Sequence, residues 1–221
     1  MEISHTEENY LKAIFKISEK RGKPASTNAI SKEMKTSAAS VTDMVKRLSE
    51  KGLIDYEPYK GGRLTEAGQR IATHLIRKHR LWEVFLVDKL SFSWDEVHEI
   101  AEQLEHIKSP ELVERLDDFL GRPQFDPHGD PIPDATGKFA ERKQVLLSEM
   151  QAGEQGAVVG VQDHTVAFLQ YLDRMQLVLG TQITVLECFA YDESLKVRIG
   201  EKREQLLSKK VSQNLFVQKT V

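Results

Sequence analysis

The spacing of the apolar residues constrains this chain more than any other feature. Over the first two thirds they recur at helical intervals, and over the last third they fall in short runs separated by turn residues. Tyr10, Leu11, Ile14, Phe15 and Ile17 mark the buried face of a first helix, which stops at a turn over residues 20–24. A short second helix follows from Thr27, with Ile30 and Met34 inward. After the break Lys35-Thr36-Ser37, a third helix covers about 37–51 on the stripe Val41, Met44, Val45 and Leu48. Residues 53–57 and 62–65 then read as two strands around Lys60-Gly61-Gly62. Helix, helix, helix and hairpin in this order predict a helix-turn-helix with a β-wing.

The third helix carries Ser37, Ala39, Ser40, Thr42, Asp43, Lys46 and Arg47 off its apolar stripe, small and polar at its start and basic further on. Such a surface lets the first turn approach base edges while later turns neutralise phosphates. Thr27 on the second helix and Lys60 and Arg63 on the wing complete the candidate DNA-binding set. Charge agrees with this reading. Residues 1–80 hold 16 Lys and Arg against 10 Asp and Glu, residues 81–150 hold 7 against 16, and residues 151–221 hold 8 against 8. A basic first third fits a polyanion and an acidic middle fits cations.

In the run VHEIAEQLEHI, the side chains of His98, Glu102, Glu105 and His106 fall within about 100° of arc on one helix, opposite Val97, Ile100, Ala101 and Leu104. Ser93 and Glu96 have capping-box spacing ahead of it. Two imidazoles and two carboxylates on one stripe form a surface for a divalent metal. His79 and Glu83 repeat the one-turn spacing upstream, on a helix expected from about 65 to 89. That helix carries Ile71, Leu75, Ile76, Trp82, Val84, Phe85 and Leu86, more apolar surface than a monomer's single face requires. Either a second subunit or the chain's own third domain covers it. Ser109-Pro110 opens a further helix with Leu112, Val113, Leu116, Phe119 and Leu120 on its apolar side.

Residues 121–137 form a loop rich in Pro, Gly and Asp. Its Asp126 and His128 are either further ligands or ordinary turn residues. A helix over 139–150 and a linker over 151–156 lead to strand 157–162, helix 165–175, and strands 182–190, 195–200, 202–207 and 215–219. This is a small β-barrel-like domain with one inserted helix and no catalytic constellation. Asp163 and His164 stand at its first strand-to-helix junction, placed either to cap the helix or to reach a metal. The single cysteine, Cys188, allows neither a disulfide framework nor a thiolate zinc site. No apolar run approaches the roughly 18 residues of a membrane span, and the N-terminus lacks the basic and apolar regions of a signal peptide. A cytoplasmic protein with no membrane partner is expected.

The segments TEENYLKAIF, SAASVTDMVKRL, KGGRLTEAG, RKHRLWEVFL, VHEIAEQLEHI and PHGDPIP together resemble the diphtheria-toxin-repressor family of metal-dependent repressors, in its manganese-responsive branch. The resemblance covers residues 4 to about 135 closely, and the tail more loosely resembles the SH3-like or FeoA-like third domain of many members. It implies a mainly α fold with small β parts. Residues 1–72 would form a winged-helix DNA-binding domain, 73–150 a helical metal-binding and dimerisation domain, and 151–221 an SH3-like/FeoA-like small β-barrel. Carried over residue by residue, it places a primary metal site on Asn9, His79, Glu102, Glu105 and His106. An ancillary site falls on Glu83 and His98, with Asp126, His128 and one of Asp163 or His164 as candidates.

Asn9 departs from the carboxylate or thioether often found there, and Lys12 stands where some manganese regulators carry a second acid. Glu102 stands where iron-type members have cysteine. A hard carboxylate in place of a soft thiolate favours Mn2+, the weak-binding end of the divalent series, with Fe2+ as the alternative. The resemblance thus implies a homodimeric, non-enzymatic repressor of metal-uptake genes that binds double-stranded operator DNA. Metal would join the first helix to the dimerisation domain and set the spacing of the two recognition helices. A metalloenzyme and a metal-buffering protein are the readings from other classes.

Overall fold

The computed structural model describes residues 3–57 and 60–220, apart from the side chains of residues 20 and 21. The chain divides into two compact units. One holds Met1–His79, Glu102–Val113 and Pro133–Phe139, and the other Arg80–Ala101, Glu114–Ile132 and Ala140–Val221.

In the first unit, helix α1 (His5–Arg21) starts in a capping box. The Ser4 hydroxyl accepts from the Glu7 N–H while the Glu7 carboxylate accepts from the Ser4 N–H, and the helix ends at Gly22 with φ +60°. Helix α2 (Thr27–Glu33) is capped by Ser26 and helix α3 (Ala38–Glu50) by Ser37. Such caps are worth about 1 kcal/mol each, which matters for a helix of seven residues. Val41, Val45 and Leu48 of α3 pack with Tyr10, Leu11, Ile14 and Phe15 of α1 and Ile30 of α2 in one buried cluster. Lys51, the C-cap of α3, pairs with Glu7 at 2.7 Å and ties the end of α3 to the start of α1.

Strands β1 (Ile54–Glu57) and β2 (Gly61–Leu64) pair antiparallel, Ile54 opposite Leu64. Ala25 and Gly62 exchange two backbone hydrogen bonds of 2.9 and 3.0 Å, so the wing is pinned to the chain just before α2. Gly61 makes that approach possible: its φ is +96°, and a Cβ there would lie 2.5 Å from the Ala25 carbonyl oxygen. Helix α4 (Glu66–Leu90) begins in this unit, which it leaves after His79.

The second unit contains the later half of α4, residues 97–101 of helix α5 (Val97–Leu104), and most of helix α6 (Pro110–Phe119). Its β part follows as β3 (Val145–Leu146), β4 (Gln155–Val161), helix α7 (Val166–Arg174), β5 (Gln182–Cys188), β6 (Leu195–Ile199), β7 (Arg203–Leu207), helix α8 (Lys209–Ser212) and β8 (Leu215–Lys219). The antiparallel sheet runs β3-β8-β4-β5-β6-β7. Alternation is clearest in β6, where Leu195, Val197 and Ile199 are buried and Lys196 and Arg198 face outward. Trp94, from the connection between α4 and α5, is buried in the same core, and its Nε1 donates to Asp173 Oδ2 of α7 at 3.0 Å.

Two expectations for the third quarter of the chain fail. Residues 139–144 are not helical, and 145–149 form β3 and a 3-10 turn. The Arg142 guanidinium donates to the carbonyls of Gly129 and Val159, both at 2.7 Å, and Val145 and Leu146 pair with Val217 and Phe216. Long-range backbone partners therefore override a run of good helix formers. The segment 151–156 is no linker either. Gly153 turns at φ +90° and donates its N–H to Val185, and β4 has begun by Gln155. Among the described residues, no helix is long and apolar enough to cross a membrane.

Candidate metal centres and nucleic-acid interface

The first cluster lies within the first unit. Helix α5 ends at Leu104, so Glu105 and His106 stand on the turn that follows it rather than on a common helical stripe with His98 and Glu102. The turn is closed by the Ile107 N–H donating to Leu104. Of the four residues expected together, His98 belongs to the second unit and the other three to the first.

Glu105 is fully buried, and His79 is 5% exposed. Their side chains meet at 2.6 Å between Nδ1 and Oε2, and His79, Glu102 and Glu105 each offer a ligand atom within 4.8 Å of the others. His106 Nδ1 is 2.6 Å from Glu8 Oε2, while its Nε2 lies 3.8 Å from Glu105 Oε1. An Nδ1–H donated to Glu8 fixes the tautomer and leaves the Nε2 lone pair facing Glu105, as an orienting carboxylate does for a metal-bound imidazole.

Helix α1 supplies one edge of this cluster through residues spaced three and four apart. His5 stacks on His106 with ring centroids 4.4 Å apart, Glu8 holds His106, and Lys12 pairs with Glu102 and Glu105. Asn9 lies on the same side of the helix, and its Oδ1 is buried without a hydrogen-bond partner. A buried amide oxygen left unpaired is costly, and a cation would relieve it. The carboxylates of Glu102 and Glu105, the imidazoles of His79 and His106 and this orphan oxygen form an N/O donor set that fits a divalent ion. Lys78 is buried nearby; burial pushes its ammonium down while Glu8 and Glu105 oppose that shift. Sequence reasoning missed His5 and Glu8 in this site, although their three-residue step is the signal that places them on one stripe with Lys12.

The second cluster lies within the second unit. Glu83, Asp126 and His128 are all buried, with ligand atoms mutually within 4.8 Å. His98 Nδ1 reaches Glu83 Oε1 at 3.4 Å from a half-exposed position. His128 Nε2 donates to the Trp94 carbonyl at 2.8 Å, so its Nδ1 is the atom that faces Glu83, 3.6 Å from Oε2. Burial works against charge on this imidazole, but Glu83 and Asp126 outweigh it and raise its pKa to about 9. Burial, then the neighbouring Glu83 and Asp130 charges, push the Asp126 carboxyl up to about 7. Arg80 already stands against this group, its Nε 3.4 Å from Asp126 Oδ2 and its Nη2 2.9 Å from Asp130 Oδ2, and lowers the Asp126 carboxyl without cancelling the effect of burial and of the neighbouring carboxylates.

The loop that carries Asp126 and His128 is locked to the β part. The Val161 N–H donates to His128 O at 3.0 Å, and Gly129, at φ +87°, would place a Cβ 2.1 Å from Val159 O. Of the two candidates at the strand-to-helix junction, His164 has its ring 5.0 Å from that of His128. Asp163 instead accepts from the Thr165 N–H in a local turn; Thr165 is the N-cap of α7, which has no side-chain cap, so the expected capping by Asp163 or His164 is not seen.

On the winged helix, Ser37, Ala39, Ser40, Asp43, Lys46 and Arg47 are exposed along α3, with Thr42 and Thr27 half-buried. Ser26, Thr27, Asn28, Thr42, Lys46, Tyr56 and Gly61 line one shallow groove between α2, α3 and the wing. Lys60 and Arg63 are exposed, Lys60 in a solvated pair with Glu57 at 2.6 Å that breaks at little cost.

A helix-turn-helix with a β-wing whose α3 exposes Lys46 and Arg47, in a chain that also builds two His and carboxylate clusters, defines the class of metal-dependent DNA-binding regulators. Residues 2–62 match the iron-dependent repressor N-terminal DNA-binding domain, residues 65–134 the iron-dependent repressor metal-binding and dimerisation domain, and residues 145–219 the FeoA domain. The iron-dependent repressor IdeR of Mycobacterium tuberculosis (strain ATCC 25618 / H37Rv) is 31% identical over 196 residues, covering 83% of this chain and 85% of IdeR. A manganese-dependent transcriptional repressor solved in complex with manganese superimposes with a TM-score of 0.87 at 33% identity, over 97% of this chain and 100% of that one. The manganese regulator SloR gives a TM-score of 0.76 at 34% identity, over 97% and 98%. The chain belongs to the iron-dependent repressor family, that of diphtheria toxin repressor, and has its winged-helix, helical dimerisation and FeoA-like β domains.

Proposed function

We propose that this chain is a cytoplasmic, Mn2+-responsive repressor of metal-uptake genes that binds operator DNA as a homodimer and has no enzymatic activity. The observation that carries the reading is the direct seating of α1, the first helix of the DNA-binding domain, on the turn that holds Glu105 and His106. His5, Glu8 and Lys12 all touch that turn or its neighbour Glu102. Asn9, His79, Glu102, Glu105 and His106 would hold the primary ion. Glu83, His98, Asp126 and His128, with His164 beside them, would hold the ancillary one.

A divalent ion held by Asn9 of α1 and by Glu105 and His106 of the turn would supply positive charge that these donors share. The chain's own residues prepare for it: Glu8 orients His106, His79 positions Glu105, and Asn9 presents an amide oxygen with no other partner. Locking α1 fixes α3 through their shared core, and in a dimer this sets two α3 helices at one spacing, roughly 34 Å for successive major grooves. The exposed Phe119 ring, which meets Phe85 and through it Trp82, gives an apolar surface that favours self-association. A wholly N/O donor set with carboxylates favours Mn2+. The resemblance to iron-dependent repressors keeps Fe2+ as the second reading.

The test is fluorescence anisotropy on the DNA upstream of the protein's own gene, with and without Mn2+. Affinity is expected to rise by about 5–150-fold with Mn2+, and operator should tighten Mn2+ binding by the same factor. Equal DNA affinity in both conditions refutes the reading. Repeating the titration with anaerobic Fe2+ separates the two metals.

A further inference from the structure

Lys12 is 5% exposed, and its Nζ lies 2.6 Å from Glu102 Oε1 and 2.7 and 2.8 Å from the two oxygens of Glu105. Three carboxylate oxygens on one buried ammonium make it the cation in direct contact with Glu102 and Glu105, carried on the same face of α1 as Asn9. A divalent ion would use those same oxygens at about 2.0–2.6 Å. Two cations cannot share them at full occupancy: a dipositive ion and an ammonium a few ångströms apart, away from bulk water, repel each other strongly. Lysine suits such a role because its charge sits on a flexible four-carbon stem and can swing aside without unfolding α1.

We propose that Lys12 is a tethered competitor for the metal, a built-in cation that neutralises Glu102 and Glu105 in the metal-free chain and must leave Glu105 when the ion enters. It thereby weakens metal binding and sets the concentration at which the protein responds. The inference rests on the assignment of Glu102 and Glu105 as metal ligands, and deepens it.

The experiment compares the full-length chain with Lys12→Met and Lys12→Gln, all in a Glu83→Gln background that removes the carboxylate on which the second cluster is built. Mn2+ affinity is read by competition with a fluorescent chelator, and folding by circular dichroism. Removing the competing charge should tighten Mn2+ binding by at least about tenfold in whichever variant folds. A merely structural lysine predicts a lower melting temperature with unchanged or weaker Mn2+ binding, and that result overturns the proposal.

Crystals of the wild-type chain grown with and without Mn2+ give a second readout that needs no substitution. Nζ should withdraw from both Glu105 oxygens when the ion is bound, and an Nζ that keeps both contacts beside a bound ion overturns the proposal. Absence of Mn2+ from Glu105 in wild type and variants alike removes the ligand assignment itself. Binding in wild type that is no weaker than in the variants removes only the competitor.

Discussion

Loading the second cluster with Mn2+ should release a proton, and the size of the effect follows from His128. Its Nε2 is committed to the Trp94 carbonyl, so a charged His128 carries its second proton on Nδ1, the atom aimed at Glu83. A metal taking His128 must take that position. With a pKa of about 9, the imidazole is protonated in all but about 3% of molecules at pH 7.5. Displacing the proton at that pH costs about 2 kcal/mol of apparent metal affinity. The cost shrinks as pH rises, because a group with a raised pKa gives up its proton only as pH approaches that value.

Apparent Mn2+ affinity should therefore rise about tenfold from pH 7 to pH 8. Asp126, with a pKa of about 7, adds a smaller contribution of the same sign near neutrality. The assay is isothermal titration calorimetry at pH 7.5 in buffers of different ionisation enthalpy, on a Glu105→Gln chain in which the first cluster is disabled. About one proton released per ion bound is the expected slope. No proton release, with an affinity flat from pH 7 to pH 8, would refute the account of His128 as a proton-loaded ligand.

Three further outcomes follow from the geometry. Glu8→Gln removes the carboxylate that orients His106, and should weaken Mn2+ binding at the first cluster about 10–100-fold in chelator competition while the melting temperature moves little. Gly61→Ala forces a Cβ to 2.5 Å from the Ala25 carbonyl at φ +96°, and should lower stability in urea titration by about 2 kcal/mol or more. Lys46→Ala should weaken operator binding and reduce the slope of log affinity against log salt by about one, if Lys46 contacts a phosphate. An unchanged slope would assign it to base reading or to no contact.

Most of the regular elements were legible in the sequence because their apolar residues repeat at the period of the element. The stripe Val41, Val45 and Leu48 located α3 to within a residue or two, and the alternation of Leu195, Val197 and Ile199 located β6. What escaped was decided by distant partners. Two-residue β3 and four-residue α8 are too short to carry a period, and the helix-forming run after Phe139 gave way to carbonyls of Gly129 and Val159 that capture Arg142. At the first cluster, the residue types on the Glu102 to His106 segment were readable, but not that α5 stops at Leu104 ahead of Ser109-Pro110. The α1 edge was only partly legible. Its apolar face dominates the pattern, and the polar stripe of His5, Glu8 and Lys12 acquires meaning only once its partners, about ninety residues away, are in place.

The central claim is that one ion joins the DNA-reading helix to the Glu105 turn. The direct measurement is the anomalous difference map of Mn2+-loaded crystals at the manganese edge. A peak within about 2.5 Å of both Asn9 Oδ1 and Glu105, with His79 or His106 completing its surroundings, is the predicted result. A fully occupied peak at Glu105 with no atom of α1 in contact would contradict it.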